Sequence, residues 1–406
     1  MAQLRPFPGL RPADHLAGEV IAPPYDVLNR AEARAILARL PRSFLQVTRA
    51  DAAVPESVDE HAPEVYAAAR ANLHRLEAEG VVTQDPAPRY YLYRQSWRGR
   101  SQVALMALCS VDEYDTGKIK RHELTRPDKE KDRVDHIEAT DVQTGLVFLA
   151  YRDDNDALRA LLAKAAAAPV AWTATTDDGV EHQLQVVDDA ALIDQITAEA
   201  ANLPALYVAD GHHRSAAASR VNAARGGAGT SGWFLAGVFP DSQLEIMAYN
   251  RVVADLFGHS PADLAAAIGA HFELTPGVDP VPTARGRWTM YLDGQWWGLE
   301  ARPGVVPTDD PVASLDVAVL QDRVLGPLLG VADPRTDKRI QFVGGVRGWQ
   351  ALQAAVDRGE AAVAFHLFPT GLDQLFAVAD AGLLMPPKST WFEPKLRGGV
   401  VAHRIA

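Results

Sequence analysis

The sequence predicts a mixed α/β (α+β) fold built in several layers, and three observations carry that prediction. Apolar runs of strand length, such as "VALMALCSV" and "GLVFLAY", alternate with stretches whose apolar residues recur at helical spacing. Two Asp-Gly pairs, Asp178-Gly179 and Asp293-Gly294, sit between strand-like runs and read as hairpin turns. The composition, 48% hydrophobic and 23% charged over 406 residues, supplies a sizeable core and suggests two or three domains.

In chain order, the first segment (1–111) opens with the proline-punctuated "RPFPGLRP" and "APPYDVLNRAEARAILARL", with a helix expected from about Ala31. A second helix is expected over 63–79: Val65, Ala69, Leu73 and Leu76 fall on one face, and Gly80 stops it. Strands "RYYLYRQSW" and "SQVALMALCSV" follow, joined by Arg98-Gly99-Arg100. The middle segment (112–257) holds a charged stretch, the strand "GLVFLAY", a small helix over 156–168, and the hairpin turning at Asp178-Gly179. Another helix, a strand over 205–209, and the strand-like runs "GWFLAGVFP" and "LEIMAYNRVV" complete it. The last segment (258–406) carries an Ala-rich helix after Ser260, the hairpin at Asp293-Gly294, a helix around 315–329 and the tail "MPPKSTWFEPKLRGGVVAHRI". No internal repeat stands out.

A net charge of −12 argues against a general attraction to nucleic acid or anionic membrane, so neither partner is expected. The single cysteine, Cys109, excludes a disulfide framework and a thiolate zinc cluster, and its apolar neighbours make it a core residue. The opening residues lack a signal-peptide core, and no run approaches a membrane span, so a cytoplasmic protein is expected.

Two stretches carry chemistry. In "ALYVADGHHRSAAASR", a short buried strand ends at Asp210-Gly211 and a helix is expected from Arg214. The start of a helix presents unpaired N–H groups and the positive end of its dipole, which suits an anion, typically phosphate. A helix cap accounts for Asp210 alone; His212, His213 and Arg214 crowd the same place beyond what a cap needs. In "KIKRHELTRPDKEKDR", the acidic chain locally reverses sign. Lys129–Arg133 reads equally well as a solvated charged loop. His122-Glu123 follows a short extended run, and a carboxylate kept ionised by basic neighbours can act as general base toward a hydroxyl. Phosphoryl transfer asks for a metal bridging phosphates, cations on the developing charge and a base for the acceptor, and the two stretches together supply that inventory.

The strand–"DGHHR"–helix joint resembles the phosphate-binding motif of the ParB/sulfiredoxin superfamily, most closely its free-serine-kinase branch, where an "HE" stretch lies upstream. Through "APPYDV", "HELT…KEKDR", "ADGHHR", "DPRTDKRIQFVGG" and "MPPKSTWFEPKLRGG", nearly the whole chain resembles an uncharacterised bacterial and archaeal family loosely labelled SpoOJ/ParB-like. The resemblance implies a ParB/sulfiredoxin-like nucleotide-binding core over 112–257 with additional N-terminal and C-terminal α/β segments. It places the catalytic base at Glu123 and gives Asp210 a catalytic and Mg²⁺-binding role. Gly211, His212, His213, Arg214 and Ser215 would hold phosphates, with His122 and Lys120 beside them. The intervening strand, helix and hairpin separate the two motifs further than in those kinases. The helix-turn-helix that follows this core in ParB has no counterpart here.

The expected activity is therefore a nucleotide-dependent kinase of a small hydroxyl substrate, free L-serine above all. ATP or ADP is the expected donor, another nucleotide remains open, and Mg²⁺ is the metal. A homo-dimer is compatible with this reading. The alternatives are a ParB-like nucleotide-binding switch and a metal-dependent hydrolase using His122, His212 and His213. Asp26, in the rigid "APPYDV" loop, is the reserve base. "DPRTDKRIQFVGG" reads as a structural ion-pair loop, with anion binding as the sharper alternative. The Gly-Gly tail with Lys388 and Lys395 reads as docked for stability, or as a substrate wall.

Overall fold

The structure, a computed structural model, describes residues 2–405. It is a mixed α/β protein folded as two compact units. The first contains the residues up to Arg121, Thr125–Leu244 and the residues from Pro394 on; the second contains His122–Leu124 and Glu245–Glu393.

The first unit is organised on a nine-stranded mixed sheet. Its path runs through Ile119–Lys120, Leu206–Asp210, Val147–Tyr151, Trp233–Pro240, Arg100–Ser110, Tyr90–Trp97, Glu181–Val187 and Val170–Thr175, with Leu4–Arg5 added beside Arg100–Ser110. Leu206–Asp210 runs parallel to Ile119–Lys120, and Trp233–Pro240 runs parallel to Val147–Tyr151; the other pairings are antiparallel. Strands from both sides of residue 111 thus share one sheet. Val147–Tyr151 is buried at every position, which is why it reads as an unbroken apolar run rather than an alternating one. Leu105, Cys109, Leu149, Val208 and Ala236 meet in the core, and burial pushes the Cys109 thiol far up, as befits a packing residue. The helix Pro63–Ala78 buries Val65, Ala69, Leu73 and Leu76, the face its spacing predicts.

The "KEKDR" stretch is not a solvated loop. It belongs to the helix Pro127–Thr140, which has proline in its first turn and buries Glu130, Asp132, Arg133 and His136. That helix packs between Pro63–Ala78 and His212–Ala224, where Asp132 meets Tyr66 and Glu130 meets Arg220. The tail comes back to this unit: Gly398 bridges to Ala22, Ala402 bridges to Leu10, and His403–Arg404 pairs with Val142–Gln143.

The second unit holds a six-stranded antiparallel sheet, in the order Phe272–Pro276, Gln295–Ala301, Arg287–Leu292, Val363–Leu367, Tyr249–Val253 and Ile340–Gly344. Val252, Tyr291, Leu352 and Ala364 form its core with Trp296. "LEIMAYNRVV" is broken rather than continuous: Ile246–Met247 pairs with Trp391–Phe392, and Tyr249–Val253 enters the larger sheet. The helix expected over 315–329 is also broken. An α-helical turn, Asp316–Leu320, gives way to a π-helical one, Gln321–Leu325, in which the Gly326 N–H donates to the Gln321 carbonyl at 2.8 Å. The 333–339 loop is laced by Asp333–Arg335 and Asp337–Arg339 ion pairs, as its sequence suggests.

Candidate functional site

The strand Leu206–Asp210 ends in a carboxylate, and the helix His212–Ala224 begins after one intervening residue, two positions earlier than its propensities suggest. That residue, Gly211, sits at φ +90°. This is left-handed backbone that a Cβ would strain, and the added Cβ would also stand 3.4 Å from the Val147 Cα. Glycine contributes no side-chain cap, so nothing from the N-cap residue covers the positive end of this 13-residue helix. Asp210 Oδ1 accepts the Gly211 N–H at 2.7 Å, and Oδ2 meets the Lys395 Nζ at 2.7 Å. Burial alone would push this carboxyl up. The Lys395 ammonium, then Arg214 and the Gly211 N–H, outweigh burial and hold it well below the usual carboxylate range. Asp210 is accordingly an anion held between two cations.

Arg214 is the unusual cation of the group. Its Nη1 donates to the Leu146 carbonyl at 3.0 Å, and its guanidinium lies 5.3 Å from the Tyr25 ring centroid. Arg133 lies over the same ring at 3.8 Å, so one aromatic side chain serves two guanidinium groups. Arg133 is paired with Asp132, Arg220 with Glu130 and Arg397 with Asp178. Among the described residues, Arg214 makes no ion pair of its own, and its charge reaches Asp210 only from beyond ion-pair distance. Room for it depends on Gly145: a Cβ there would come within 2.8 Å of Arg214 Nε.

Beside Arg214 lies a narrow hollow of about 40 Å³, whose walls include Tyr25, Thr144, Gly145 and Arg397. A larger cavity of about 260 Å³ shares Tyr25, Thr48, Arg133 and His136 with it and extends to Asp26, Arg49 and Lys129. Arg49 sets the loop between them. It pairs with Asp51 and donates to the carbonyls of Tyr25, at 3.1 Å, and Leu28. Asp132 accepts from Tyr66 Oη at 2.9 Å and from Arg133 at 2.7 Å, and lies 3.1 Å from His61 Nδ1. Burial raises the Asp132 carboxyl, and Arg133 with these hydrogen bonds more than reverses that. Burial, then Arg133, pulls His136 down to about 4, so it is a neutral ring hydrogen-bonded to the Val47 carbonyl at 3.0 Å.

The other predicted residues fall as follows. His213 Nε2 accepts the Arg126 N–H at 3.1 Å, which ties the first turn of the helix to the residue before Pro127. His212 is buried, and the wholly buried Ser215 hydroxyl donates to the His212 carbonyl at 3.0 Å. Lys120 pairs with Tyr207 across parallel strands and lies 5.9 Å from its ring. Asp26 is exposed at the edge of the larger cavity. His122 and Glu123 belong to the second unit; there the His122 carbonyl accepts the Met385 N–H at 2.8 Å, and His122 Nε2 lies 3.4 Å from Thr390 Oγ1.

Sequence reasoning missed several residues of this site. Tyr25 lies in "APPYDV" and Asp132–Arg133 in "KEKDR", but the sequence assigns neither stretch to this place, and Gly145 carries no motif signature. Glu130, Arg133, Ile137 and Thr140 do follow helical spacing, which would have revealed a buried charged face had proline in the first turn been weighted as a helix start. Lys395 lies 185 residues from Asp210, and no local pattern links them.

A family model described as "Protein of unknown function (DUF1015)" matches residues 4–318. No curated protein matches the chain. Among solved structures, a free serine kinase in complex with AMP is similar over 71% of this chain and 86% of its own, at 9% identity and a TM-score of 0.35. C-terminally truncated SbnI from Staphylococcus aureus is similar over 72% and 84%, at 14% identity and a TM-score of 0.39. A conserved hypothetical protein from Pyrococcus furiosus is similar over 71% and 90%, at 11% identity and a TM-score of 0.33. Likeness at that level assigns no role to any residue here. No helix among the described residues is long and apolar enough to cross a membrane.

Proposed function

The chain belongs to the DUF1015 family, and we propose that it binds a nucleotide at the Asp210–Arg214 joint and transfers phosphate to the hydroxyl of a small substrate, with free L-serine the first candidate. The observation that carries this reading is Arg214, a cation without a carboxylate partner at the glycine-capped start of a 13-residue helix. A polyphosphate there gains the helix dipole, the guanidinium and, once Asp210 is shared, the Lys395 ammonium. Electrostatic positioning of this kind is most of what phosphoryl transfer asks of a protein.

The donor set fits Mg²⁺ better than zinc. Among the described residues no three His, Cys, Asp or Glu side chains gather as a metal cage. Mg²⁺ commonly takes one or two carboxylates and completes its shell with water and phosphate, so Asp210 would hold it and it would neutralise phosphate charge. Through the motif resemblance, Glu123 is the base that accepts the substrate hydroxyl proton, with Asp26 in reserve.

Titration calorimetry with ADP and ATP, with and without Mg²⁺, tests the binding half, and phosphate transfer to a panel of amino acids tests the chemistry. Glu123→Gln should bind nucleotide as the native protein does and lose turnover by about 10²- to 10⁴-fold. Nucleotide binding with no transfer to any small hydroxyl compound would instead favour a nucleotide-binding switch.

A further inference from the structure

The second unit has a cavity of its own, of about 310 Å³, and it draws together residues from two quoted stretches that the site above leaves unused. Pro334 and Arg335 come from "DPRTDKRIQFVGG", Pro386 and Pro387 from "MPPKSTWFEPKLRGG". Its most informative lining residue is Arg251, in the strand Tyr249–Val253 and only 3% exposed. Nη2 of Arg251 donates to the Lys388 carbonyl at 3.0 Å, Nη1 donates to the Tyr249 carbonyl, and the guanidinium lies 5.1 Å from the Phe342 ring. No carboxylate among the described residues pairs with it. Burial draws Arg251 down to about 10, which still leaves it charged at neutral pH. A guanidinium has five N–H donors, and a buried charge without a counter-charge is costly. An anion in the cavity would supply the missing counter-charge.

A second observation points to the same place. The π-helical turn Gln321–Leu325 puts both of its end residues, Gln321 and Leu325, on the cavity wall. π-Turns are rare and concentrate at functional sites. Apart from Arg251, Gln321 and Asp333, the buried and half-buried wall is apolar, including Val317, Leu325, Ile340 and Phe342. The one carboxylate of the lining, Asp333, is paired with Arg335 at 2.9 Å.

We propose that this cavity binds a small organic monocarboxylate, with its carboxylate on Arg251 and its apolar body against Phe342, Leu325 and Pro386–Pro387. A phosphate dianion fits less well, because it would ask for more donors than one guanidinium and would face Asp333. The volume lies near the lower end of ligand cavities, which span roughly 300–1,000 Å³, so the ligand is small. This proposal does not depend on nucleotide binding in the first unit.

The test titrates the full chain with benzoate, isobutyrate and hexanoate, alongside benzyl alcohol as a neutral counterpart and inorganic phosphate as a hard anion. Nuclear magnetic resonance shifts or calorimetry would read binding. At least one carboxylate should saturate, and benzyl alcohol should not. Arg251→Gln should weaken the carboxylate by about tenfold or more, the scale of a lost charge-assisted hydrogen bond. Because removing a buried arginine can disturb folding, Ala332→Trp provides a second variant. It fills the exposed mouth of the cavity without touching Arg251, and it should weaken binding to a similar degree. The proposal is overturned if none of the three carboxylates saturates, if benzyl alcohol binds as well, if inorganic phosphate displaces the carboxylate at equal concentration, or if Ala332→Trp binds as the native protein does.

Discussion

Replacing Arg214 with alanine removes the one guanidinium at the helix start that lacks a carboxylate partner. Its single side-chain hydrogen bond, to the Leu146 carbonyl at 3.0 Å, uses one of five N–H donors, so most of its capacity is left for an anionic ligand. Charge-assisted hydrogen bonds contribute about 1.5–3 kcal/mol each, which for one such bond is a loss of roughly 10- to 150-fold in nucleotide affinity. The cost to folding is smaller, because Tyr25 keeps Arg133 at 3.8 Å and only one carbonyl loses its donor. Calorimetry with ADP and Mg²⁺ gives the affinity, and thermal unfolding of the same samples separates a binding loss from a folding loss. Gly145→Ala makes the companion perturbation, since its Cβ would stand 2.8 Å from Arg214 Nε and displace the guanidinium while leaving its charge. If Arg214→Ala folds and binds nucleotide with native affinity, the joint is not the phosphate site and the proposed function loses its main support.

Gly211→Ala forces a Cβ into backbone at φ +90°, which should cost about 1–3 kcal/mol in urea unfolding and weaken nucleotide binding with it. Native stability there would show that the left-handed turn imposes no constraint. Burial holds His136 and His403 down to about 4 and His182 to about 3. The unfolded chain, with histidines near 6.5, therefore binds more protons between about pH 4 and 6.5, and stability falls as pH drops through that window. His136 and His403 each account for up to about 3 kcal/mol and His182 for somewhat more; His136→Gln should flatten part of the slope, and an unfolding midpoint constant from pH 7 to 5 would contradict it. Lys395→Met leaves Asp210 without its ammonium partner; because the pair is partly exposed, about 1–2 kcal/mol is expected at neutral pH. Asp210 is depressed in the folded state, so that difference should begin to shrink as pH falls through about 4, where the unfolded chain's carboxyl protonates, and should be lost only once the pH passes the depressed folded range. A difference that grows on acidification would refute the assignment.

Local physics made a good part of this protein legible from its residues. The face Val65–Ala69–Leu73–Leu76, the hairpins turning at Asp178-Gly179 and Asp293-Gly294, and the buried run Val147–Tyr151 follow from periodicity and turn chemistry. The strand–glycine–helix joint at Asp210–His212 was legible for the same reason, since its signal lies within a few consecutive residues. Where local preference and packing disagreed, packing prevailed. The "KEKDR" charges read equally well as solvated, and a helix packed between two others buries Glu130, Asp132 and Arg133 with partners. The run after Leu315 read as one helix, and a π-turn interrupts it at Gln321.

The sequence by itself determined the mixed α/β class, most element positions and the strand–glycine–helix joint at Asp210–His212. Only the tertiary structure decided what surrounds that joint. Tyr25 stands between Arg214 and Arg133, Gly145 leaves room for the guanidinium, and the returning tail brings Lys395 to Asp210. It also decided that Arg251 is buried with no carboxylate among the described residues paired to it. The physical reason is range. Turn geometry, capping and periodicity act within a few residues, whereas charge pairing and burial act through space between segments a hundred or more residues apart, and single-chain spacing holds no record of which segments meet.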